Sequence, residues 1–352
     1  MKIKTLYFKN VGPLEERKIG LTDSWTDEIS QLILFSGPNG SGKSIILRMV
    51  ASLWEAAGYW LDQQKKLPKS EPAGIWLSKW EGCAVIFDEV FEDSGPIGLF
   101  FGDAKWFFEI LLDSTPGVVW IGETVHYTGK PGRPGHNFFG SSERSISEWA
   151  ERRKKLILTF EKADIANLIY LDAEERRWVP PRRGVGKPVP EDSKLRWMVR
   201  YKATEDWQGQ LEASLITLKT SSLHRFHEII RELNRFLHDK EIETDIRTGE
   251  NRLRVKLKNS RGQFHYLDDL SAGEHQVLIQ LYLIHRWMEP GGIVLIDEPD
   301  LHLHPSLIPG FLASLESLIE KKQGQLLLTS HLPDIWKRYE STGRRISLGG
   351  DL

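Results

Sequence analysis

QLILFSGPNGSGKS, residues 31–44, is the stretch on which the fold turns. A short apolar run, Leu32 to Phe35, feeds straight into a glycine-rich loop. Residues 37–44 satisfy the pattern GxxxxGK[ST] in full: Gly37, Pro38, Asn39, Gly40, Ser41, Gly42, Lys43 and Ser44. Beyond them Ile46, Met49, Val50, Leu53 and Trp54 recur at helical spacing, which predicts a helix from Ile45 to about Trp60. Strand, loop and helix come in the order a phosphate-binding loop requires. In such a loop successive backbone N–H groups turn toward one anion, helped by the N-terminus of the following helix. Lys43 would reach the β- and γ-phosphates, and the Ser44 hydroxyl would face Mg²⁺. ATP and Mg²⁺ are the expected ligands.

A second apolar strand ends in acid: GGIVLIDEPD, residues 291–300. Ligands in open α/β sheets sit at the carboxyl ends of strands, where Asp297 and Glu298 fall. Asp297 would hold Mg²⁺ through water, and Glu298 would polarise the attacking water. Two carboxylates are needed, because one group cannot serve the metal and the γ-phosphate side together. LLLTSHLPDI, residues 326–335, places His331 just past a third buried strand, downstream of Asp297. The last third alternates helix (272–287), strand (293–296), helix (305–321), strand (325–329), helix (332–339) and strand (344–348). That is the rhythm of a parallel sheet with helical crossovers.

With these elements, LDDLSAGEHQ (267–276) resembles the signature of ABC-type ATPases of the RecF/SMC-like group. That group includes stand-alone AAA-labelled ATPases of bacterial defence and repair, and OLD-like proteins. Ser271, Gly273 and Glu274 take the places of the serine, second glycine and glutamine of LSGGQ. Glutamate for glutamine, and Ala272 for glycine, are departures. The resemblance implies that Ser271 and nearby backbone of one subunit contact the γ-phosphate held by another. The residues alone also allow Ser271 to be an N-cap, with Glu274 completing a capping box. LHLHP (301–305) resembles the D-loop region, where a dimer contact is expected. His302 and His304 are spaced like a metal pair but lack a third ligand nearby. His331 resembles the switch histidine that senses the γ-phosphate. FKN (8–10) resembles the end of the family's first strand, putting Lys9 and Asn10 near the base or sugar. The family's metal-coupling glutamine stays unassigned: Gln63 and Gln64 follow Lys43 too soon in the chain, and no glutamine stands at a strand end.

The implied fold class is α/β: a P-loop NTPase with an ABC-type ATPase head, an inserted antiparallel β subdomain and a helical lobe. The 352 residues read as one such domain. Residues 1–61, 165–175 and 265–352 would form the nucleotide-binding sheet core. Within 62–164 the apolar runs 83–87, 106–112, 118–127 and 156–160 stand between Gly, Pro and Ser clusters, which predicts hairpins. Residues 176–264 would supply a basic loop, a helical stretch (207–239) and short strands. No heptad run suits the long arm of an SMC or Rad50 protein. The short stretch after His331 is expected to leave no room for a Toprim nuclease domain.

A net charge of -2 argues against a protein that coats nucleic acid over its whole surface. One cysteine, Cys83, excludes an intrachain disulfide framework. No apolar run approaches the roughly 18 residues of a membrane span, so a cytoplasmic protein is expected. Charge does concentrate locally. Residues 176–200 hold Arg176, Arg177, Arg182, Arg183, Lys187, Lys194, Arg196 and Arg200 against two acids, with Trp178 and Trp197 between them. DNA contact, docking of an acidic partner protein and a solvated loop are all open for this segment. Two functions share the site. One is an ATPase that closes as a head-to-tail homodimer around two ATP molecules in DNA repair or antiphage defence. The other is a slow ATP-gated switch or scaffold that controls a partner effector such as a nuclease. The 13 tryptophans have no functional reading and suit core filling.

Overall fold

The computed structural model describes residues 1–352 except 24–25, 93, 127–134, 141–142, 159–164, 175–192, 202–205, 261 and 350–352, and the side chains of 193–194 and 206–210. The first strands are β1 (Lys2–Lys9), β2 (Arg17–Gly20), β3 (Leu32–Ser36), β4 (Gly82–Asp88), β5 (Ile97–Asp103), β6 (Val119–His126) and β7 (Gly135–Gly140). There follow β8 (Leu168–Leu171), β9 (Met198–Arg200), β10 (Lys240–Ile242), β11 (Arg254–Leu257), β12 (Phe264–Tyr266), β13 (Ile293–Ile296), β14 (Gln325–Ser330) and β15 (Arg344–Ser347). The helices are α1 (Lys43–Gln63), α2 (Pro72–Leu77), α3 (Ala104–Trp106), α4 (Leu112–Ser114) and α5 (Arg144–Leu158). Then come α6 (Asp206–Ser221), α7 (Leu223–Phe236), α8 (Ala272–Trp287), α9 (Ile308–Lys321) and α10 (Pro333–Thr342).

The apolar strands β3, β8, β13 and β14 lie in one parallel sheet of order β15-β3-β14-β13-β8-β9. Their alternate residues fill two cores, as expected for a sheet covered on both faces. Ile33, Phe35, Leu168, Ile293, Leu295 and Leu327 join the core around α1, whereas Leu34, Ile169, Val294, Ile296, Leu326 and Leu328 join the core under α6–α9. A second sheet, β2-β1-β4-β5-β6-β7, is antiparallel except for the β5–β6 pair. Helix α1 packs against β4, β5 and β6 as well as β8 and β14, so it lies between the two sheets. That position explains its residues buried on every side, from Ile46 through Trp54 to Leu61. β10, β11 and β12 form a small antiparallel sheet.

The observed α/β class and the β-rich insertion agree with expectation, and three local readings are corrected. β1 and β2 belong to the antiparallel sheet, not to the nucleotide-binding one, because β1 pairs with β4 over Lys2–Lys9. WFFEILL (106–112) is helical, running through a π-helical turn at Phe107–Leu111 between α3 and α4. The described part of LILTF (156–160) is the end of α5, which buries Ile146, Trp149, Arg153 and Leu156 on one face. The stretch read as helical over 207–239 forms two helices, broken at Ser222.

Several tryptophans weld this arrangement. Trp54 of α1 stacks on Trp197 with centroids 4.2 Å apart and 12° between planes. Each indole N–H donates to the other residue's carbonyl at 3.1 Å. Trp149 of α5 packs on both rings. No helix among the described residues is long and apolar enough to cross a membrane.

Candidate functional site

The phosphate loop folds as its glycines demand. Gly37 has φ +150°, and a Cβ there would lie 2.2 Å from the Leu348 carbonyl oxygen. Gly42 has φ +95° and delivers the chain into α1. Lys43 is buried, and its ammonium donates to the carbonyls of Gly37 and Pro38, each at 2.9 Å. Burial lowers its pKa, opposed by the charges of Glu298 and Asp297. Ammonium and carboxylates therefore share one field.

Strand register assembles the rest. Ile296 of β13 pairs with Leu171 of β8 on one side and Leu328 of β14 on the other. Asp297, Asp172 and Thr329 are the next residues along these three parallel strands, so they reach one level at the carboxyl end of the sheet. Asp297 is only 3% exposed. Its Oδ1 accepts from Ser44 Oγ at 3.0 Å and from Thr329 Oγ1 at 2.5 Å. Burial pushes its pKa up; the two hydroxyls pull it down, and the charges of Asp172 and Glu298 push it up again. Glu298 follows with φ +50°, a left-handed backbone that is uncommon for a residue with a side chain. Its amide donates to Thr329 Oγ1 at 2.9 Å. Its Oε1 lies 3.2 Å from Nε2 of His331, just past the end of β14. A cavity of about 430 Å³ opens here, lined by Ser44, Arg48, Asp172, Glu174, Asp297 and Glu298 among others.

The structure thus brings Lys43, Ser44, Asp297, Glu298 and His331 together. Thr329 and Asp172 are additions. Thr329 ties Asp297 to Glu298 through one hydroxyl. Asp172 accepts from the Tyr170 hydroxyl and the Glu174 amide, both at 3.0 Å. It occupies a strand end of the kind at which a coupling side chain is expected. Gln63 and Gln64 stand at the far end of the 21-residue α1, roughly 30 Å from the loop at 1.5 Å per residue.

Other expected residues fall elsewhere. The Lys9 ammonium pairs with Asp103 at 3.3 Å and Glu81 at 3.8 Å. Asn10 is exposed, in the turn whose Pro13 and Leu14 abut Gly42. Ser271 caps α8: its hydroxyl donates to Glu274 Oε2 at 2.7 Å, and the Glu274 amide donates back at 3.3 Å. The capping box is real, and it leaves the signature motif beside the LHLHP loop, where Gly273 packs against Leu307 and Leu303. His304 Nδ1 lies 2.8 Å from Ser306 Oγ, and no group of three metal-ligating side chains occurs among the described residues.

Of the basic segment, Arg176, Arg177, Trp178, Arg182, Arg183 and Lys187 lie outside the described residues, as does the Lys194 side chain. Its carboxyl end is no open basic surface. Trp197 is 4% exposed, Arg196 donates to the Leu156 carbonyl at 2.7 Å, and Arg200 pairs with Glu55 at 3.3 Å. The Trp197 ring is stacked on Trp54.

Residues 139–335 match the family described as "AAA domain, putative AbiEii toxin, Type IV TA system". The chain belongs to this AAA-domain family. The family match spans more than half of the chain and takes in Ser271, Asp297, Glu298 and His331; it begins after the phosphate loop. Protein ea59 of Escherichia phage lambda is 34% identical over 68 residues, which are 19% of this chain and 13% of that protein. Among solved structures, the Smc head bound to the C-winged helix domain of ScpA covers 95% of this chain and 91% of its own, at 13% identity and TM-score 0.48. The SMC head domain from Thermotoga maritima covers 96% and 92%, at 15% identity and TM-score 0.46.

Proposed function

We propose that the chain is a Mg²⁺-dependent ATPase of the ABC type, RecF/SMC-like, that converts ATP and water to ADP and phosphate. The observation that carries this reading is the Ser44–Asp297–Thr329–Glu298 hydrogen-bonded chain, set against a complete phosphate loop. The hydroxyl of Ser44 and the carboxylate of Asp297 are oxygen donors of the kind a hard cation takes, and burial among other acids gives Asp297 reason to hold one. Bound there, Mg²⁺ would neutralise charge on the β- and γ-phosphates. Lys43 would exchange the Gly37 and Pro38 carbonyls for phosphate oxygens. Glu298, once redirected from His331, would orient the attacking water, and His331 would sense the γ-phosphate. Ser271 would serve the γ-phosphate of a second copy, making a head-to-tail dimer the working form.

The setting we infer is DNA repair or antiphage defence. A family description that names a toxin of a toxin–antitoxin system favours defence, and it supports the second reading, a slow ATP-gated switch controlling an effector. The Glu298–His331 contact also favours that reading, since Glu298 must be redirected before it can act on water. DNA contact through the Arg176–Arg200 segment would distinguish a direct clamp from a switch. Multiple-turnover rates with and without DNA separate the two: strong stimulation supports the clamp, and slow, DNA-indifferent turnover supports the switch.

The underlying chemistry is tested by Lys43→Ala. Loss of the Lys43 ammonium should abolish ATP binding or lower turnover by about 10²-fold or more. Unchanged nucleotide affinity together with unchanged turnover would refute the ATPase reading.

A further inference from the structure

Helix α8 begins with an acid where a neutral amide would suffice to cap it. Glu274 Oε2 lies 2.7 Å from Ser271 Oγ and 3.0 Å from Ser271 N. A carboxylate is at home near a helix N-terminus. Yet the same hydroxyl and the same N-terminus are what a phosphate from a second subunit would meet. A negative charge within hydrogen-bond reach of that hydroxyl would repel the incoming anion.

Lys240, the first residue of β10, answers this charge. Its Nζ lies 2.5 Å from Glu274 Oε1, the oxygen that Ser271 does not use. The two side chains are 18% and 11% exposed, so the pair is largely shielded from solvent. Asp239, at 3.9 Å, is a looser and more exposed neighbour. β10 is itself pinned, with the Ile242 amide donating to Asn234 Oδ1 at 2.7 Å and the Ile242 carbonyl accepting from Asn234 Nδ2 at 3.1 Å. A second ion pair joins the segment leading into β11 to the signature turn: Arg252 donates to Asp268 at 2.7 Å and to Glu212 at 2.8 Å. The small sheet therefore grips the signature at two points, and only Lys240 touches the group beside Ser271.

We propose that Lys240 is a positioning residue of the signature: it cancels the charge of Glu274 beside Ser271, so that the remaining backbone N–H groups of the helix N-terminus can take the γ-phosphate of ATP bound by a second copy of this chain. The inference rests on the dimer reading above. A pair that only fastens sheet to helix would behave differently. Breaking it from either side would then have the same consequence, whereas charge cancellation gives the two sides opposite signs.

The test uses the full chain carrying Glu298→Gln, to slow hydrolysis, with ATP and Mg²⁺. The dimer dissociation constant is measured by sedimentation equilibrium for this parent and for added Lys240→Met, Glu274→Gln and both. ATP affinity of the monomer and thermal melts are recorded alongside. Lys240→Met should weaken the dimer by about tenfold or more, since it leaves a shielded charge unpaired, while monomer affinity for ATP stays unchanged. Glu274→Gln should leave the dimer as tight or tighter, because Lys240 then faces the phosphate uncompensated. The double variant should return to within about threefold of the parent. Both single variants should melt lower, so lost stability cannot produce opposite effects on association. Equal weakening by both, or an unchanged dimer with Lys240→Met, would overturn the inference while leaving the dimer intact. A parent that forms no ATP-dependent dimer would overturn the dimer reading, and this inference with it.

Discussion

Thr329→Val removes one hydroxyl and nearly preserves the shape of a fully buried side chain. That hydroxyl donates to Asp297 Oδ1 at 2.5 Å and accepts from the Glu298 amide at 2.9 Å. A hydrogen bond to a charged group is worth about 1.5–3 kcal/mol, and a buried amide left unpaired costs about 1–3 kcal/mol. Ser44 still donates to the same oxygen, so the lower ends apply, and the expected loss is roughly 2–4 kcal/mol at neutral pH. The sign of the pH dependence follows from Asp297. Its folded-state pKa is raised above 3.8, by burial first, so the stability linked to its proton is full below that value and lost as pH rises through the raised one. Removing a bond to the ionised form raises the folded value further. The gap between variant and wild type should therefore be smallest below pH 3.8 and should widen toward neutrality. Urea unfolding on either side of that window measures it. Turnover should also fall by about 10–100-fold, since the left-handed backbone of Glu298 loses the bond that holds it. An equal stability gap at both pH values, with unchanged turnover, would refute the role given to Thr329.

Three further outcomes are expected. Glu298→Gln should lower turnover by about 10²-fold or more while ATP still binds and a closed dimer accumulates, as sizing with ATP and Mg²⁺ would show; a monomer that hydrolyses normally removes the base assignment. Asp172→Asn should raise the Mg²⁺ concentration for half-maximal turnover by about tenfold, because it removes one negative charge from the cavity and still leaves an acceptor for Tyr170; an unchanged magnesium curve would leave Asp172 as scaffolding for Tyr170 and Glu174. Trp197→Ala should cost about 3–5 kcal/mol in denaturant unfolding, as deletion of a buried ring stacked on Trp54; unchanged stability with weakened DNA binding would return that ring to a nucleic-acid role.

The parts of the site that can be read from sequence are those announced by contiguous residues. A glycine loop between an apolar strand and a helix carries its geometry with it, as does a buried strand ending in Asp297 and Glu298. Thr329 and Asp172 are different. Their importance depends on how β14, β13 and β8 align, and one residue of slip would turn each to another level. LIYLD is legible as a strand, but nothing within it says that Asp172 will stand beside Asp297. The same limit explains the misread apolar runs. WFFEILL lacks polar punctuation, so its period is ambiguous between strand and helix. LILTF reads as a strand in isolation, although the preceding EWAERRKK already sets acid four residues before base, as in the Glu148–Arg152 pair, around a buried Trp149 and Arg153. β1 is legible as a strand while its sheet is not, because its partner β4 lies beyond the phosphate loop and the whole of α1.

Charge decides what this site can bind. Asp172, Glu174, Asp297 and Glu298 all border one cavity, while Arg48 and the nearby Lys43 supply the cations. Free nucleotide is a polyanion and would meet a surplus of carboxylates there. A metal–nucleotide pair would be closer to balance, because the cation would answer the acids while the phosphates took Lys43 and the loop amides. In the proposed dimer the second subunit would face the opposite problem. It would have to offer a helix N-terminus to the γ-phosphate without adding to the negative charge, and that turn contains Glu274. Neutralising that residue with Lys240 would let one acid cap the helix at little electrostatic cost to the phosphate. Under the proposal, metal on one side and lysine on the other would be two solutions to the same constraint.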